Sequence, residues 1–164
     1  SRLRYLMATR LGVDPRSVHG MVIGEHGDSE MAVWSLASVG GIPIDSPAAG
    51  GRWHLTPEER AQIYEETRTA AYQIIAAKGA TYYAIALALA RICEAILRDQ
   101  KSILQVSTYL QGYHGIDGIC LGVPAVVGRW GVEEVVQIPL TAEEEEQLQA
   151  SAAKVRRFLA EIGF

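Results

Sequence analysis

The segment Gly24-Glu25-His26-Gly27-Asp28-Ser29 is the part of this sequence best suited to chemistry. An imidazole titrates near neutrality, so His26 is able to take or give a proton. Gly24 and Gly27 let the backbone bend sharply around it and let a ligand come close. A base of this kind needs a carboxylate to fix its tautomer. Glu25 and Asp28 are the near candidates, though neither is assured of facing the ring. A plainer role also fits, with His26 a hydrogen-bonded loop residue and Asp28 capping the turn. Other constellations are poorer. His19, His54 and His114 show no ligand spacing around His26-x-Asp28, so no metal is expected. No GxSxG elbow occurs, and neither Cys93 nor Cys120 has a local base for nucleophilic catalysis. The sequence also lacks GxGxxG and Walker loops, the usual cradles for a dinucleotide or a triphosphate.

The elements that must position this loop are readable from spacing. Leu3, Leu6, Met7 and Leu11 predict an amphipathic helix over residues 1–11, ended by Gly12 and Asp14-Pro15. The apolar run Val18 to Ile23 reads as a strand delivering the chain into the loop. Residues 40–53, with Pro43, Pro47 and four glycines, read as a surface loop. Thr56-Pro57-Glu58-Glu59 is a capping box, and the helix it starts should lay Tyr64, Thr67, Ala71, Ile74, Ile75 and Lys78 along one stripe until Gly79. A second helix, Thr81 to about Arg98, is nearly apolar as far as Ala90 and is expected to be buried. Ile103–Leu110, Ile119–Val127 and Val135–Pro139 read as strands with turns at 112–115 and 129–131. Thr141-Ala142-Glu143-Glu144 opens a last helix, acidic at its start and carrying Lys154, Arg156 and Arg157 late. Hairpin-linked strands among long helices predict an α+β fold with antiparallel pairing.

The chain's 164 residues suit one domain, taken as 1–164, and 49% hydrophobic with 21% charged residues is ordinary for a globular protein. A net charge of −4 without any Lys/Arg block argues against nucleic acid or an anionic membrane as partner. The longest apolar run, Ala84 to Ala90, falls far short of the ~20 residues of a membrane span. Two cysteines in a chain of this size read best as reduced thiols in a cytoplasm. The opening Ser1-Arg2-Leu3-Arg4 enters a helix directly, as a piece of something longer would.

Ile23 to Ser35, IGEHGDSEMAVWS, closely resembles the active-site histidine motif of L-lactate dehydrogenases. SRLRYL resembles the end of that family's aspartate-x-x-arginine helix, and AAKGATYYAIALALARI its long helix. The resemblance implies the C-terminal substrate-binding and catalytic domain of the lactate/malate dehydrogenase fold, without the N-terminal NAD-binding domain or the mobile specificity loop. By the same resemblance His26 is the proton donor and acceptor, Arg2 grips the substrate carboxylate, and Thr81 lines the substrate pocket. The aspartate that orients the histidine would stand just before Ser1. Arg4 and His19 match the pair that binds fructose 1,6-bisphosphate between subunits in bacterial members. The implied activity is NAD-dependent interconversion of pyruvate and L-lactate in a cytoplasmic homotetramer of glycolysis. The isolated chain is expected to be inactive. Malate dehydrogenase, which usually has glycine where Glu25 stands, is the first alternative; an inactive oligomerisation module is the second.

Overall fold

Reciprocal hydrogen bonds start two of the long helices where the sequence marks them. The Thr56 N–H donates to Glu59 Oε2 at 2.9 Å, and the Glu59 N–H donates to Thr56 Oγ1 at 3.2 Å. The helix α2 (Pro57–Lys78) follows, and Gly79, at φ +79°, ends it rather than kinking it. Thr141 and Glu144 repeat the exchange at 3.0 and 3.2 Å and open α4 (Ala142–Glu161). These contacts come from a computed structural model that describes residues 2–47 and 51–163. Ser1, Phe164 and residues 48–50 of the turn-rich stretch lie outside the described residues.

Two compact units divide the chain, Ser1–Val22 with Ala32–Ala70 and Ile23–Met31 with Ala71–Phe164. In the first, α1 (Arg2–Leu11) buries Leu3, Met7 and Ala8. They pack in one apolar cluster with Val18, Val39, Ile44, Leu55 and Ile63. The run expected as a single strand from Val18 to Ile23 is two short ones. The first, β1 (Val18–His19), pairs antiparallel with β4 (Ser38–Val39), which in turn pairs with β5 (Ile42–Pro43). The second, β2 (Val22–Ile23), pairs with β3 (Met31–Ala32) across the loop of interest. Gly20 stands between them, and its backbone lies so close to α1 that a Cβ there would sit 3.1 Å from Met7 Sδ. The side chains that α2 buries are not those of the stripe named from its spacing. Ile63 and Ala70 are buried, whereas Ala71, Ile75 and Lys78 are exposed. Tyr64, Thr67 and Ile74 of the stripe are half-buried, and Tyr64 packs against the apolar cluster of the first unit.

The second unit is built on an antiparallel sheet of β6 (Ser102–Tyr109), β7 (Cys120–Gly128) and β8 (Gly131–Val135), with β7 central. Leu121, Val123, Ala125 and Val127 of β7 are buried, and Leu148, Ser151 and Ala152 of α4 are buried in the same unit. The third strand runs over Gly131–Val135 rather than the expected Val135–Pro139. Gly128 pairs with Gly131 around Arg129-Trp130, and Gly131 at φ +86° resumes pairing at once. The larger departure is α3 (Tyr83–Leu97). Its apolar sequence led to an expectation of burial, yet Ala95 is its one buried residue, and Leu87 and Leu89 are 73% and 58% exposed. Nothing among the described residues covers this face, so its hydrophobicity marks a surface rather than a core. Cys93 and Cys120 are free and exposed. No described helix is long and apolar enough to cross a membrane.

Candidate functional site

The loop carrying His26 is tied down at both ends. Gly24 and Gly122 exchange backbone hydrogen bonds, Gly24 N–H to Gly122 O at 2.8 Å and Gly122 N–H to Gly24 O at 3.0 Å. Both positions require glycine. A Cβ on Gly24 would lie 2.8 Å from Ser151 Oγ at a φ of +102°, and one on Gly122 would lie 2.9 Å from Gly24 O. The Glu25 N–H donates to Ser151 Oγ at 2.7 Å, fastening the loop to α4. Within the loop, Gly27 N–H donates to Glu25 O at 2.9 Å and Glu30 N–H to Gly27 O at 3.2 Å. Asp28 accepts a hydrogen bond from the Tyr72 hydroxyl at 3.2 Å. His26 is exposed at the tip, and no described residue bonds its ring. Its place is set by the backbone on either side.

Glu25 does not face the imidazole. Its Oε2 accepts from Ser29 N–H at 3.1 Å, from Ser29 Oγ–H at 2.5 Å and from Lys154 Nζ at 3.0 Å. Burial alone would push this carboxyl's pKa up. The hydrogen bonds from the Ser29 hydroxyl, Lys154 and the Ser29 amide, with the attraction of the ammonium, outweigh it and hold the carboxyl below its ordinary 4.5. A carboxyl lowered on folding stabilises the native state fully above about pH 4.5 and loses that contribution as pH falls through the lowered value. Thermal melts between pH 7 and pH 3 should therefore show Glu25→Gln less stable than the parent at neutral pH. The gap should close below pH 4.5, and a gap that is constant with pH would contradict this linkage.

Thr81 is half-buried between the end of α2 and the start of α3, in the same compact unit as His26. Arg2, Arg4 and His19 belong to the other unit. Arg2 is exposed at the start of α1, and no described residue pairs with it. Arg4 Nε donates to Val18 O at 2.7 Å and one terminal nitrogen to Pro15 O at 3.1 Å. The guanidinium thus lies against β1 beside exposed His19, with three of its five N–H groups left over. Ser151 and Lys154 are site residues that the sequence alone does not single out. Their trace was a serine on the apolar stripe of α4 with a lysine three residues on, which places both on one face. Among the described residues no group of three or more His, Cys, Asp or Glu side chains is gathered as a metal site would need.

Residues 1–162 match the family model described as lactate/malate dehydrogenase, alpha/beta C-terminal domain, and the chain belongs to that family. It is 47% identical over 163 residues to an L-lactate dehydrogenase of Treponema denticola, and 48% identical over 162 residues to one of Synechococcus sp. strain JA-3-3Ab. Each match covers 99% of this chain and 52% of the relative, so the chain spans about half the length of these curated relatives. A crystal structure of a lactate dehydrogenase enzyme from a Medee basin deep-sea metagenome library superposes with a TM-score of 0.93 at 39% identity, covering 99% of this chain and 52% of that one. The minor L-lactate dehydrogenase of Enterococcus mundtii superposes with a TM-score of 0.91 at 40% identity, covering 98% and 51%.

Proposed function

We propose that this chain is the substrate-binding and catalytic part of an NAD-dependent L-lactate dehydrogenase. The observation that carries this reading is the braced loop presenting His26 on a fold whose relatives bear that name. His26 supplies the proton that a ketone oxygen must collect as the carbonyl of pyruvate is reduced, and takes it back in the reverse direction. Arg2 holds the substrate carboxylate, because its planar fork makes two parallel hydrogen bonds that fix position and orientation together. Thr81 lines the pocket. The residues here do not fit the dinucleotide itself. No GxGxxG loop is present to cradle its phosphates, so the nicotinamide cofactor is held mainly by a separate N-terminal domain. The protein is read as a cytoplasmic homotetramer of glycolysis. Malate dehydrogenase remains the rival, since the specificity loop is not among these residues.

Arg4 and His19 are assigned to fructose 1,6-bisphosphate. Arg4 is steered onto the Val18 carbonyl, one residue before His19 in β1, and keeps N–H donors free for a phosphate. One assay tests substrate and effector together. In the full natural protein containing this sequence, NADH oxidation is followed with pyruvate and with oxaloacetate, each with and without fructose 1,6-bisphosphate. Pyruvate should be much the better substrate, and the effector should lower its half-saturation about 5–150-fold, a coupling of about 1–3 kcal/mol. Preference for oxaloacetate would overturn the lactate assignment. A response that survives Arg4→Gln with His19→Gln would overturn the effector site.

A further inference from the structure

We propose that Lys154, on the last helix, is a positioning residue for His26 and acts through the Glu25 carboxylate. The inference rests on the reading of His26 as the proton-transfer group. Glu25 and Ser29 close a small ring of chain around His26, since one carboxylate oxygen of Glu25 takes both the amide and the hydroxyl of Ser29. Gly27 lies directly under that carboxylate. A Cβ there would collide with Glu25 Oε1, so the ring has no slack on its inner side. The Glu25 side chain is only 19% exposed, and a carboxylate so placed is costly to hold without a counter-charge. Lys154 supplies that charge from 129 residues away in sequence. Its ammonium is itself steadied over the Phe158 ring at 5.9 Å. Three residues earlier on the same helix, Ser151 Oγ accepts the Glu25 amide. Because no described side chain bonds the His26 ring, the imidazole goes where residues 25–29 put it. Without the ammonium, the carboxylate gains by rotating toward water. That releases Ser29, opens the ring and moves His26.

The test uses the full natural protein containing this sequence, with pyruvate reduction followed through NADH. A misplacement of about 1 Å is able to cost about 10²-fold in rate, so Lys154→Met should lower kcat about 10–100-fold while KM for pyruvate stays within about twofold. Lys154→Arg keeps the charge and should recover kcat to within about threefold of the parent. A lysine that served the fold alone would lower the melting temperature and leave the kcat of the folded enzyme unchanged. That result overturns the proposal, as does a loss that arginine fails to repair. His26→Gln is run in parallel. If it is inactive while Lys154→Met turns over normally, the positioning role fails and the catalytic reading stands. If His26→Gln is itself active, the catalytic reading fails. Should Lys154→Met not fold, Ser29→Ala removes only a hydroxyl from the same ring. It should lower kcat about 3–10-fold at unchanged KM, on the same geometric sensitivity, and an unchanged kcat overturns the proposal.

Discussion

Replacing His26 with glutamine should lower turnover about 10²–10⁴-fold, the usual contribution of a positioned acid or base. Glutamine keeps a polar side chain of similar reach but has no nitrogen that titrates, so the ketone oxygen must find its proton in water. The substitution is structurally mild. The ring is exposed and no described residue bonds it, so the loop's own fastenings at Gly24, Glu25 and Ser29 remain intact. Steady-state pyruvate reduction, with NADH affinity measured separately by fluorescence, checks this. NADH binding should hardly change. A variant with near-normal kcat would remove His26 from the chemistry.

The second large effect falls on binding. Arg2→Lys preserves the charge but loses the fork, and a desolvated charged contact broken in this way costs about 2–5 kcal/mol, roughly 30-fold to several thousandfold in affinity. Arg2 is exposed and pairs with no described residue, so its guanidinium is not committed to holding the fold together. The loss should appear in the KM for pyruvate and in the affinity for a non-reacting analogue such as oxamate. The thermal midpoint should be left where it was. Equal affinity for oxamate in parent and variant would show that the carboxylate is held elsewhere.

Much of this molecule was legible in the sequence because its signals are local. The two capping boxes at Thr56 and Thr141 and the antiparallel β6–β7 hairpin are each written in local residues. The errors share a different cause. An apolar run such as that of α3 predicts burial without saying what would cover it, and in this chain Leu87 and Leu89 are exposed. The strand at Val18 was divided because its halves pair with β4 and β3, which a run of apolar residues does not reveal. Burial on α2 is set by which side its neighbours occupy, and helical spacing alone does not single out Ile63 and Ala70. At the site, His26 and its glycines announced themselves. Lys154 read as a late-helix cation suited to the dipole, and only the fold brings its ammonium to Glu25.

The wide separation of the loop from its brace has a consequence in time. During synthesis, Glu25 leaves the ribosome 126 residues before Ser151, roughly 6–25 s earlier at ~5–20 residues per second. For that interval the glycine-rich turn has neither its serine acceptor nor its lysine counter-charge, and no local contact replaces them. Pairing at such range is slow, because the entropy of closing the intervening chain precedes any gain. The loop carrying His26 therefore acquires its braced geometry last, when α4 docks. A nascent chain stalled before residue 151 holds the whole GEHGDS motif and no assembled site.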